Sequence, residues 1–93
     1  MENIYVFDDG VIRGFIEMNG TQLSKIYVDS FFQSQGVGDA LIRYATEEFG
    51  ADNLWALEKN KRAISFYQNH GFQVTGGKRL EEDTTEYLVK LER

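Results

Sequence analysis

The chain has no cysteine, no proline and a single histidine among its 93 residues. Without cysteine there is no disulfide framework, no thiolate zinc site and no cysteine nucleophile. One histidine, His70, cannot build a His-rich metal site, and no metal is expected. No apolar run approaches the ~20 residues that a membrane helix needs. The start, Met1-Glu2-Asn3-Ile4, lacks the basic and apolar regions of a signal peptide. A cytoplasmic protein without a membrane partner is the expectation. Positive charge is also scarce, with 10 Lys and Arg against 15 Asp and Glu and a net charge of −5. That argues against nucleic acid, whose phosphates call for a basic surface. One bound anion is still allowed, because amides at a helix start hold phosphate whatever the global charge. Long-range attraction favours cationic or amine-bearing partners.

What is present is ordinary for a globular protein: 42% hydrophobic and 27% charged residues. A chain of this length holds one core, so residues 1–93 are expected to form a single domain. There is no linker, repeat or low-complexity run. Ile4 to Phe7 is a short β-rich run closed by the turn signal Asp8-Asp9-Gly10. Val11 to Met18 is a second strand, with Gly14 inside it as a bulge or close-approach point. Asn19-Gly20 is a hairpin signal, and a third strand runs from about Thr21 to Val28.

The period then changes. Val37, Leu41, Tyr44, Ala45 and Phe49 follow helical spacing, and Gly50 is the stop. Asn53 to Leu57 is a short strand after a helix, which suggests a β-α-β crossover. A second helix covers Lys61 to Asn69, with Asn60 as N-cap and Gly71 as stop. Phe72 to Thr75 and Thr85 to Leu91 read as strands joined by a charged loop, Gly76 to Asp83. The fold class is therefore α/β, a mixed α+β sheet in the order β-β-β-α-β-α-β-β.

The informative stretch is Gln33-Ser34-Gln35-Gly36-Val37-Gly38-Asp39-Ala40, between a strand and a helix. Glycines there let backbone amides face a ligand. With the helix dipole they form an anion cradle suited to a pyrophosphate. A tight turn shaped by Gly36 and Gly38 is the competing explanation. The Rossmann pattern fails because Leu41 occupies the third glycine position, and Walker A fails for want of Gly-Lys-Ser/Thr.

These residues carry a resemblance. Gln33-x-x-Gly36-x-Gly38-x-Ala40, following Leu23 to Asp29, resembles the acetyl-CoA-binding motif of the Gcn5-related N-acetyltransferases (GNAT). Leu57-Glu58-x-Asn60-x-x-Ala63-x-x-Phe66-Tyr67-x-x-x-Gly71-Phe72 is similar to that family's fifth strand and fourth helix. The resemblance implies an enzyme that moves an acetyl group from acetyl-CoA to a primary amine, by direct attack in a ternary complex. It implies that Gln33, Ser34, Gln35, Gly36, Val37, Gly38 and Asp39 cradle the CoA pyrophosphate. Ile26, Tyr27 and Val28 would pair with the pantetheine arm as an added strand; they would equally serve as a core strand. Asn60 matches a pantetheine contact, and an N-cap role is also open to it. Ala63 and Phe66 lie on the same matched helix. Tyr67 matches the general acid that protonates the departing thiolate; packing of the helix on the sheet is its alternative. A phenol near 10 stays protonated above a thiol near 8.5.

No general base stands out. Gln22 lies where many relatives have Glu, and Glu17 and Glu58 read as solvated, with a pairing to Lys61 or Arg62 also open to Glu58. Lys59, Lys61 and Arg62 read as a solvated face, with the CoA 3′-phosphate as the alternative. His70 reads as surface or cap. Family members begin with a strand and two helices that this sequence does not match. Three explanations stand side by side: a minimal acetyltransferase completed by a partner copy, a fragment of a longer chain, or a catalytically inactive acyl-CoA-binding or dimerising module. An apolar edge at Ile4 to Phe7 suggests a homodimer.

Overall fold

The computed structural model describes residues 2–8, 10–29 and 36–93. Six strands and two helices appear among them, in the order expected from the sequence. They group into two compact units, residues 1–51 and 52–93.

The first unit is an antiparallel meander with one helix. Strand β1 (Glu2–Asp8) pairs with β2 (Ile12–Asn19), which pairs with β3 (Gln22–Val28). Strand alternation puts Gly14, Ile16 and Met18 on the inner face of β2. Helix α1 (Val37–Phe49) covers that face and buries Val37, Leu41, Ile42 and Ala45 against it. Gly50 ends the helix at φ 64, its N–H donating to the Ala45 carbonyl. The hairpin turn sits one residue later than the Asn19-Gly20 signal predicts. Asn19 pairs with Gln22, so Gly20 and Thr21 form the loop. Gly20 has φ 61, whereas Thr21 is not among the residues with positive φ. That pattern fits a type II′ turn, which needs glycine only at its first central position.

Gly14 is a close-approach point, the second of the two expectations for it. A Cβ there would lie 2.4 Å from the Tyr27 carbonyl oxygen and 3.0 Å from Leu41 Cδ1. The absent side chain is what lets β3 and α1 close on β2.

The second unit holds β4 (Asn53–Leu57), α2 (Lys61–Asn69), β5 (Gln73–Leu80) and β6 (Tyr87–Glu92). β6 lies between β4 and β5, antiparallel to both. Its core is Leu54, Ala56, Phe72, Val89 and Leu91. One expectation is corrected here. The sequence predicts a loop from Gly76 to Asp83, yet β5 continues to Leu80. A register shift between Val74 and Lys78, with Gly76 at φ 91, absorbs the glycine pair as a bulge. The turn is displaced to Glu81–Glu86, where the Glu81 N–H donates to the Glu86 carbonyl at 2.8 Å.

Candidate functional site

In the first unit, Ile26, Tyr27 and Val28 lie at the end of β3, opposite Ile16, Phe15 and Gly14 respectively. The Asp29 N–H continues the ladder to the Arg13 carbonyl at 2.9 Å. Ile26 and Val28 are half-buried, and Tyr27 is exposed, its ring stacked on Phe15 at 5.4 Å. These three residues are therefore not part of the fully buried core.

Gly36 is the N-cap of α1, with φ 79 and no side-chain capping bond. The Ala40 N–H donates to the Gly36 carbonyl at 3.0 Å and closes the first turn. The earliest N–H groups of a helix have no carbonyl partner within it, and glycine offers no side chain in their place. A Cβ on Gly36 would meet nothing within 4 Å. The left-handed φ explains Gly36 by turn geometry alone. It does not explain Gly38, which sits inside the helix without positive φ. Glycine in a helix costs about 1 kcal/mol relative to alanine. A bare backbone at this point suits the close approach of a ligand. Val37 is buried and fixes the helix start in the core. The Asp39 carboxylate pairs with Arg43 at 3.6 Å, one turn along the helix. Gln33, Ser34 and Gln35 lie outside the described residues.

In the second unit, Asn60 is the N-cap of α2, and its Oδ1 accepts from the Ala63 N–H at 3.1 Å. The capping expectation is thus met by the oxygen alone, and the side-chain NH₂ is a separate group. Asn60→Ser and Asn60→Ala distinguish the two roles. Serine keeps the cap, so stability changes little, while alanine costs about 1 kcal/mol. If the amide also serves acetyl-CoA, both variants weaken its binding alike. Thermal melts beside acetyl-CoA titrations read this, and wild-type affinity in the serine variant would confine Asn60 to capping.

Ala63, Phe66 and Tyr67 are half-buried along α2, which has no fully buried residue. Tyr67 meets Phe66 at 5.4 Å and Phe72 at 6.2 Å, both edge to face. Burial pushes its phenol up from 10.0 to about 12. Apolar surroundings penalise the phenolate, so the side chain stays neutral at physiological pH. His70 packs on Phe66 at 4.9 Å, in keeping with a cap position.

Glu58 pairs with Lys78 at 3.0 Å, in place of the Lys61 or Arg62 expected from the sequence. That partner comes from β5 and could not be read from local spacing. Lys59 contacts Glu86, while Lys61 and Arg62 are exposed. Among the described residues, no cluster of three or more His, Asp or Glu could hold a metal ion. No helix among them is long and apolar enough to cross a membrane.

Comparison with known proteins bears on the same residues. The family model for the acetyltransferase (GNAT) domain matches residues 1–74. The peptidyl-lysine N-acetyltransferase YiaC of Escherichia coli K12 is 34% identical over 68 residues, covering 72% of this chain and 47% of that protein. The peptidyl-lysine N-acetyltransferase YjaB of Salmonella typhimurium LT2 is 28% identical over 79 residues, covering 85% and 54%. The chain thus spans about half the length of these curated relatives. Among solved structures, a putative streptothricin acetyltransferase of Bacillus anthracis, in complex with acetyl coenzyme A, aligns at TM-score 0.77 and 25% identity, covering 97% of this chain and 60% of that one. Apo YjaB from Escherichia coli aligns at TM-score 0.79 and 24% identity, covering 94% and 60%. With the glycine pair at the α1 start and the Asn60–Tyr67 helix both in family order, the chain belongs to the GNAT acetyltransferase family.

Proposed function

We propose that the chain acts as an acetyl-CoA-dependent N-acetyltransferase domain that acylates a primary amine. The observation that carries this reading is the family match over residues 1–74, which takes in both functional stretches. In this reading the two units work as one domain. Amides of residues 33–39 hold the CoA pyrophosphate, and the backbone of Ile26, Tyr27 and Val28 pairs with the pantetheine arm. Asn60 adds its side-chain amide, and Ala63 and Phe66 line the arm.

Transfer follows from positioning rather than from a covalent enzyme intermediate. The amine nitrogen attacks the thioester carbonyl carbon, and the oxygen gains charge that backbone N–H donors stabilise. The C–S bond then breaks. Overall, one proton leaves nitrogen and one arrives on sulfur. A phenol raised to about 12 gives up its proton less readily than a thiol near 8.5. Complete transfer from Tyr67 in that state runs uphill by about 3 to 4 pK units. Tyr67 therefore acts first as a hydrogen-bond donor to the departing sulfur, the part of the general-acid role that its raised pKa favours.

The acceptor to try first is a lysine side chain in a peptide, because two relatives are named peptidyl-lysine acetyltransferases. The test is CoA release from acetyl-CoA with a lysine peptide and a panel of free amines. Release with any of them supports transfer. Acetyl-CoA binding without release across the panel would favour an inactive binding module instead. A cytoplasmic setting and a homodimer belong to the same reading. For the dimer the support is that β1 pairs with β2 alone among the described strands, with Ile4 60% and Val6 49% exposed. Sedimentation equilibrium at the mass of one 10.7 kDa chain would remove the dimer.

A further inference from the structure

A pocket of about 340 Å³ opens between β1 and α1 in the first unit. Ala40 is the last residue of the stretch that resembles the acetyl-CoA-binding motif, but none of the residues assigned to contact acetyl-CoA lines the pocket. Its size falls at the lower end of small-molecule sites. Tyr5, Phe7 and Tyr44 supply three aromatic walls, Ala40 and Leu41 an aliphatic floor, and Asp8 is the one charged residue lining it. The Tyr5 and Tyr44 rings meet edge to face at 6.3 Å, and Tyr5 stacks on Phe49 at 4.2 Å. Tyr5 is thus held by two neighbouring rings. Asp8 is held too, its Oδ1 accepting from the Gly10 N–H at 2.8 Å.

We infer that this pocket binds a small free alkylamine in its protonated form. The chemistry selects that class. Aromatic faces attract an ammonium group through their quadrupole. The single carboxylate at the pocket and the net charge of −5 act in the same direction and repel anions. A neutral apolar guest would cover Asp8 without compensating its charge. The volume suits a short alkyl chain better than a peptide segment. The site is also distinct in kind from that of an acetyl acceptor, whose reacting nitrogen must be unprotonated to attack. No local sequence pattern marks it, because Tyr5 and Tyr44 are 39 positions apart and meet only through the packing of α1 on the meander.

The experiment titrates the ¹⁵N-labelled chain at neutral pH with n-butylamine, which is then a cation, and with its neutral isostere n-butanol. No acetyl-CoA is present, so failure here leaves the acetyl-transfer reading untouched. The Ala40, Leu41 and Tyr44 amides are expected to shift saturably with the amine, and at least about fivefold more weakly with the alcohol. Asp8→Asn retains an oxygen for the Gly10 contact and is expected to weaken amine binding about fivefold. Tyr44→Leu, at an exposed position, is expected to do the same. Butanol binding as tightly as butylamine would overturn the inference, as would shifts confined to other residues or full affinity in folded Asp8→Asn. Spermidine is expected to bind at least as well as butylamine. A blocked lysine peptide binding more tightly than either would overturn the choice of a small free amine.

Discussion

Gly14→Ala is expected to destabilise the chain by about 2 kcal/mol or more and to weaken acetyl-CoA binding in the same step. The cause is steric. The new methyl would sit 2.4 Å from the Tyr27 carbonyl oxygen, 3.0 Å from Leu41 Cδ1 and 3.3 Å from the Val28 Cα. Leu41 can turn aside, but Tyr27 and Val28 contribute backbone atoms, so β3 itself has to move. Overpacking a tight site typically costs 1–3 kcal/mol. For a domain of this size, 2 kcal/mol lowers the melting midpoint by roughly 10 °C. The segment forced outward is the one assigned to the pantetheine arm, so affinity should fall by more than the stability loss explains. A thermal melt and a titration well below the midpoint separate the two effects. A midpoint within about 3 °C of wild type would show that β2 and β3 are not closely packed at Gly14.

Tyr67→Phe is expected to lower the turnover number by about a hundredfold on an accepted amine, with acetyl-CoA affinity little changed. That size is at the low end for a positioned proton donor. It is set there because a phenol at about 12 is proposed to stabilise the leaving sulfur chiefly through a hydrogen bond. The same substitution has a second readout that requires no substrate. Below about pH 10, folded and unfolded chains both keep the Tyr67 proton. Between about 10 and 12 the unfolded chain loses it while the folded chain retains it. The unfolded state then binds fewer protons, so stability falls as pH rises through that window. The fall amounts to about 2 to 3 kcal/mol. Phenylalanine removes this contribution, so the gap between variant and wild type should move in the variant's favour as pH rises from 9 to 12. An unchanged turnover number would remove Tyr67 from the chemistry. Parallel pH curves would show that its phenol is not desolvated.

The order of elements was legible because each announces itself locally. The helical spacing from Val37 to Phe49, the Gly50 stop and the Asn60 cap all stand where the sequence puts them. The hairpin was found, but its loop is Gly20-Thr21 because cross-strand register, a long-range property, selects the turn type. The β5 extension was missed because Gly76-Gly77 reads as a loop unless the neighbouring strand is known. A Cβ on Gly77 would come within 2.9 Å of Lys90 Cβ, so that glycine marks a close strand crossing. Site residues divide in the same way. Gly36, Gly38 and Asn60 were visible because glycine and capping residues have few reasons to occur where they do. The Glu58–Lys78 pair and the Tyr5–Tyr44 contact depend on packing between distant segments and left no local pattern.

Acetyl-CoA is proposed to bind this chain through the amides at the start of α1 and the end of β3. Calorimetric titration of the 93-residue chain with acetyl-CoA, beside adenosine alone, tests it most directly. Saturable binding of about one acetyl-CoA per chain is expected, with adenosine far weaker because the pyrophosphate is the group assigned to the helix start. No binding by a chain shown to be folded, or equal binding of adenosine, would contradict it.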